Sequence, residues 1–151
     1  LIRTPVVGEL LSGFASPDLY RRNLEALFVD QSKVTDAMVM RYYELNSLTG
    51  QPRATLARLR ITPARMDAWK DIPKISVPTL ILWGDKDNLI PVSVAERFAN
   101  DLPVAETIIY PNVGHIPMEE VPDQSATDVG TFLDGVIGRA LPVAAAPVRR
   151  F

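Results

Sequence analysis

Cysteine is absent from this chain of 151 residues, and histidine occurs once, as His115. The first absence excludes a disulfide framework and a thiolate metal site. A single histidine among scattered carboxylates leaves no metal-ligand spacing either, so no metal site is expected. A long apolar run is also lacking: nothing approaches the roughly 18 residues that would cross a membrane. There is no basic run. The 16 Lys and Arg fall short of the 18 Asp and Glu, leaving a net charge of −2, which argues against a nucleic-acid surface. The chain opens Leu1-Ile2-Arg3-Thr4, without methionine or a signal-peptide pattern. The expectation is therefore a fragment or processed chain, with the cytoplasm as the favoured compartment. What is present is globular in character, with 47% apolar and 23% charged residues, in a length that suits one ordinary domain with a core.

The pattern is helical up to about Leu59. Ser16 can cap a helix that has Pro17 at its first position, and Tyr20, Leu24, Leu27 and Phe28 form one apolar stripe. A second helix opens at Thr35, with Val34 and Val39 spaced for a hydrophobic staple and Gly50 as its stop. Met38, Tyr42 and Leu45 continue its face. Leu56 and Leu59 mark a shorter helix, and a further turn is expected from Pro63 to Trp69. The texture changes at Asp71–Pro78, which holds two prolines and reads as an extended linker. Thr79–Trp83 and Ala105–Tyr110 are short apolar runs that read as buried strands. Between them Ser93 and Glu96 have capping-box spacing, with Val94, Phe98 and Leu102 on the face of the helix they open. This is the strand–helix–strand length of a parallel crossover. Val129, Phe132, Leu133, Val136 and Ile137 then give the clearest helical stripe in the chain. The Pro- and Ala-rich end reads as a frayed tail. The expected division is a helical region with its linker over 1–74, an α/β region over 75–140 and a flexible tail over 141–151.

The residues that could carry chemistry stand just past the two strands. Gly84-Asp85-Lys86-Asp87 follows the first, and Gly114-His115 follows the second. Taken singly these have ordinary explanations: glycine serves any tight turn, and an aspartate near a proline makes an Asx turn. Together they place a carboxylate and an imidazole at one edge of a parallel sheet, where ligands bind in open α/β folds. An imidazole can take a proton from a hydroxyl near neutral pH and return it to a leaving group. A neighbouring carboxylate fixes its tautomer and stabilises the imidazolium. An acid followed by a histidine is the end of a nucleophile–acid–base order, but no Gly-x-Ser-x-Gly turn occurs in these residues to supply the nucleophile.

Val77-Pro78-Thr79-Leu80-Ile81-Leu82-Trp83-Gly84-Asp85-Lys86-Asp87-Asn88-Leu89-Ile90-Pro91 closely resembles the acid-bearing strand and loop of the α/β-hydrolase superfamily. Val113-Gly114-His115-Ile116-Pro117-Met118-Glu119-Glu120-Val121-Pro122 resembles its histidine loop, with the Glu-x-Pro that opens the last helix. The resemblance implies an α/β fold made of the C-terminal part of a hydrolase core, preceded by a helical cap and linker over 1–74, of which residues 16–70 resemble the cap itself. It implies Asp87 as triad acid and His115 as triad base, with no cofactor or metal required, and puts Asp85 at a variable position. It implies an apolar small-molecule substrate, with Met38, Met40, Tyr42, Tyr43 and Trp69 as candidate lining residues, although packing of the cap's own core is the more ordinary explanation for any one of them. The early strands, the oxyanion-hole loop and the nucleophile have no counterpart here. The nucleophile therefore stays open between serine, with ester-like or carbon–carbon substrates, and aspartate, as in epoxide hydrolases and haloalkane dehalogenases. A binding protein on the same fold without hydrolysis is the rival. The missing half or a second copy is expected as the partner that completes the sheet, because a two-stranded parallel sheet cannot cover itself.

Overall fold

The computed structural model describes residues 16–48, 67–137 and 148–150, together with Gln51, Ala54 and Ala57. The chain forms two compact units. One comprises residues 1–25 and 32–66, the other residues 26–31 and 67–151. Ala68–Lys74 packs with the α/β unit because Ile72 lies against that unit's apolar core. Residues 26–31 belong there as well.

α1 (Pro17–Leu27), all but its last two residues in the helical unit, opens where the Ser16 carbonyl and hydroxyl accept the N–H of Leu19, at 3.0 and 3.4 Å. After a 3₁₀ turn at Gln31–Lys33, α2 spans Asp36–Ser47. Thr35 caps it, accepting the N–H of Met38 at 3.2 Å, and Val34 and Val39 on either side of the cap are buried. Arg21 ties the two helices, donating to the Val34 carbonyl and to Asp36. α2 ends three residues before Gly50, with Asn46 and Ser47 turning their side chains back to the carbonyls of Tyr42 and Tyr43. Leu56 and Leu59, expected in a third helix, lie outside the described residues, as do Pro63 to Met66.

The α/β unit is built on β1 (Thr79–Gly84), α3 (Ser93–Asp101) and β2 (Ala105–Tyr110). The strands pair in parallel, Thr79 opposite Ala105 and Gly84 opposite Tyr110. Successive side chains of a strand point to opposite faces, so the two strands build two cores. Ile81, Ala105 and Ile109 pack with Ala95 and Leu102 on one face, and Ile108, Tyr110 and Val113 with Leu80, Leu82 and Val121 on the other. α3 covers the first face. α4 (Pro117–Glu120) and α5 (Pro122–Ile137) follow the second.

Four local expectations change here. Residues 68–74 form a 3₁₀ helix containing Pro73, rather than an extended linker; only the stretch after Lys74 is extended. α3 starts without the Ser93 side-chain cap. Pro91 and Val92 supply carbonyls to the N–H groups of Val94 and Glu96, and in the helix that follows Ala95 is buried while Val94 is half-buried. The apolar stripe of α5 is only half used: Val129, Leu133 and Ile137 remain exposed. Finally, Val148–Arg150, expected in a frayed tail, forms β3, pairing in parallel with β2 so that the sheet order is β1–β2–β3. β1 is thus an edge strand among the described residues. Beside it lies a 390 Å³ apolar groove lined by Ile72, Ile75, Leu80, Leu82, Trp83 and Phe98, among others.

Candidate active site

The two loops that leave β1 and β2 run against each other. A Cβ at Gly84 would stand 2.1 Å from the carbonyl oxygens of both Val113 and Gly114, so only glycine lets the acid loop leave the strand here. Beyond it, the N–H of Asp85 donates to the Tyr110 carbonyl and that of Lys86 to the Val113 carbonyl, both at 3.0 Å. These bonds deliver Asp87 to the histidine loop. Its Oδ1 accepts the N–H groups of Leu89 and Ile90 at 2.8 and 2.9 Å, the Asx-turn geometry expected of an aspartate before a proline. Its Oδ2 is left for His115. Trp83 Nε1 donates to the Ile90 carbonyl at 3.1 Å and pins the far end of the loop.

Asp85 has a different task. It accepts the N–H of Asn112 at 2.7 Å, and Asn112 adopts a left-handed backbone at φ 56°. Asparagine tolerates that conformation better than most residues. Asp85 therefore braces the turn after β2 and does not reach the imidazole through the oxygen that Asn112 holds.

The histidine loop is equally constrained. A Cβ at Gly114 would stand 2.1 Å from the Leu27 carbonyl oxygen. That same carbonyl accepts the N–H of His115 at 2.8 Å. The imidazole Nδ1 then lies 2.8 Å from Asp87 Oδ2. The Asp87 side chain is 3% exposed and that of His115 27%. Burial pushes the Asp87 carboxyl up, but the N–H of Ile90, the His115 ring, the N–H of Leu89 and the charge on an imidazolium outweigh it, and the net direction is down. An ionised Asp87 can only accept, so Nδ1 carries the proton and Nε2 is the nitrogen able to act as a base.

Of the residues expected at a site, Asp87 and His115 are the ones brought together. Met38 and Tyr42 are half-buried in the helical unit, where Tyr42 carries the Arg41 guanidinium 5.4 Å from its ring centre. Tyr43 meets Tyr20 edge-on at 5.9 Å, and Met40 is exposed. Trp69 is 57% exposed, with the Lys70 ammonium 5.8 Å from its ring centre. The residue that sequence reading missed is Glu120, buried, with its carboxylate on the N–H groups of Val29, Asp30 and Gly114. Its local signal was the Glu-x-Pro of Glu120-Val121-Pro122, which marks the start of the last helix but not the carboxylate's partners. Among the described residues no group of three His, Cys, Asp or Glu is arranged to hold a metal ion, and no helix is long and apolar enough to cross a membrane.

A family profile described as the alpha/beta hydrolase fold matches residues 8–122. The chain belongs to that family. Among its relatives, Lipase 3 of Moraxella sp. (strain TA144) is 40% identical over 67 residues, a match covering 44% of this chain and 21% of the lipase. The dihydrolipoyllysine-residue acetyltransferase component of an acetoin cleaving system from Pseudomonas putida is 30% identical over 132 residues, covering 83% of this chain and 34% of that protein. Among solved structures, a membrane phospholipase A described as a bacterial virulence factor superposes with a TM-score of 0.61 at 31% identity, over 82% of this chain and 40% of that one. These matches thus span between a fifth and two-fifths of the length of the three proteins.

Proposed function

We propose that this chain contributes the acid and the base of a hydrolase that cleaves an ester-like or other small apolar substrate by nucleophile–His–Asp catalysis. The observation that carries the reading is the 2.8 Å contact between Asp87 Oδ2 and His115 Nδ1, held by backbone bonds on both sides. His115 would take the proton of the attacking group through Nε2 and return it to the leaving group. Asp87 would hold the ring in that tautomer and stabilise the imidazolium. The nucleophile and oxyanion donors come from sequence outside these residues. In support, no Gly-x-Ser-x-Gly turn occurs here, and among the described residues β1 leaves an open edge where a further parallel strand would pair. By itself the chain is inactive on this reading, since no covalent intermediate forms without them. The test uses the protein carrying both halves and a short activated ester. His115→Ala should lower kcat by about four orders of magnitude, because the base acts in both half-reactions. Activity within about tenfold of the parent protein would defeat the proposal.

The acetyltransferase relative favours a second reading, in which the acyl group passes to an acceptor other than water. The same pair would activate either acceptor. Product analysis with and without an added alcohol or thiol separates the two: transfer product in excess of free acid would mark the acceptor reading.

A further inference from the structure

Glu120 is 1% exposed and sits where α4 ends. Its two carboxylate oxygens serve different stretches of chain. Oε1 accepts the N–H groups of Val29 at 3.0 Å and Asp30 at 2.8 Å, and Oε2 accepts that of Gly114 at 2.7 Å. Just before Val29 in the first stretch, the Leu27 carbonyl accepts the N–H of His115. The peptide that carries the imidazole is therefore gripped on both sides, at Gly114 by Glu120 and at His115 by Leu27. Glu120 also holds the segment that presents Leu27. All these residues belong to one compact unit, although Val29 and Asp30 lie 91 and 90 positions from Glu120 in sequence.

A buried carboxylate is expensive to desolvate unless its lone pairs are filled. An apolar side chain would fill the same space more cheaply. Its presence here suits a task that packing cannot do, namely accepting from two directions at once. We propose that Glu120 is a positioning residue for the acid–base pair: it clamps segment 26–31 to the histidine loop and so sets the distance from the His115 ring to Asp87. Neither Glu120 nor segment 26–31 touches the reacting atoms on this reading, which rests on the catalytic role of His115 proposed above.

Glu120→Gln keeps the shape and removes one acceptor. Its amide oxygen can serve Val29 and Asp30 or Gly114, but the amide nitrogen then faces an N–H, so one side of the clamp opens. The experiment is ring-nitrogen NMR of His115 in the complete protein, with its signals assigned by their loss in His115→Gln and with Asp87→Asn as the reference for a broken pair. The expected result is that Glu120→Gln moves the His115 tautomer balance towards that of Asp87→Asn, while amides of β2 keep their native exchange protection. In the same variant kcat should fall by about 10- to 100-fold with KM little changed, as for a misplaced catalytic group. A native tautomer in Glu120→Gln, with the Gly114 amide exchanging faster, would overturn the proposal. Should the variant not fold, hydrogen exchange in the parent protein decides. The amides of Val29, Asp30 and Gly114 should then open together, and independent opening of Gly114 would overturn it. The catalytic reading fails separately, if His115→Ala keeps its activity, and the tautomer result does not depend on that.

Discussion

At the residue scale, hydrogen bonds decide more than charge does. Asp87 and Asp85 stand two positions apart on one loop, yet one holds an imidazole and the other a backbone N–H. The lowered Asp87 pKa has a consequence for stability. A carboxyl whose folded pKa lies below its ordinary 3.8 stabilises the fold above the unfolded value, and this contribution is lost as pH falls through the folded value. Urea unfolding measured from about pH 5 down to pH 2 should show that loss in the parent protein, and Asp87→Asn should lack that part of the slope. An unchanged slope would mean that the carboxyl is not held in this way. Gly114 offers a steric check. Alanine there meets the Leu27 carbonyl oxygen, which is backbone and cannot swing aside, so Gly114→Ala should destabilise by about 1–3 kcal/mol in thermal or denaturant unfolding.

At the scale of elements, the contrast with Gly130 is instructive. It lies inside α5, and a methyl group added there would meet no neighbouring side chain or packed element within 4 Å. Gly130→Ala should stabilise by about 1 kcal/mol and raise Tm, since alanine is the better helix former and nothing obstructs it. The two strands, α1, α2 and α5 were legible because their signals are local. Apolar runs with glycine ends mark the strands, Thr35 with Val34 and Val39 marks the start of α2, and period-3.6 spacing marks α5. The pair Asp87–His115 was legible through the loops that follow the strands. What sequence did not disclose depends on distant partners. Pro73 argues for extended chain locally, but Ile72 gains a place in the core by a 3₁₀ turn. Ser93 and Glu96 match a capping box, yet the carbonyls of Pro91 and Val92 start the helix without it, and Ala95 is buried. Glu120 could not be read as a clamp, since its partners Val29 and Asp30 come from the other end of the chain.

At the scale of the molecule, unfinished surfaces dominate. Among the described residues β1 keeps one edge open beside the apolar groove, and Val129, Leu133 and Ile137 leave an apolar stripe on α5. Exposed edges and large apolar patches favour association. The expectation is that residues 1–151 purified alone dimerise, aggregate or melt at low temperature, and that the complementing half or a second copy relieves this. Sedimentation and a thermal melt test it, and a cooperative, stable monomer would refute it. With that complement present, the assignment of the acid meets its most direct test in kcat/KM for Asp87→Asn and Asp85→Asn on the same activated ester. The account predicts a loss of about four orders of magnitude for Asp87→Asn, through the wrong imidazole tautomer, and a far smaller loss for Asp85→Asn, which weakens only a turn. Near-normal turnover in Asp87→Asn with activity abolished in Asp85→Asn would contradict it.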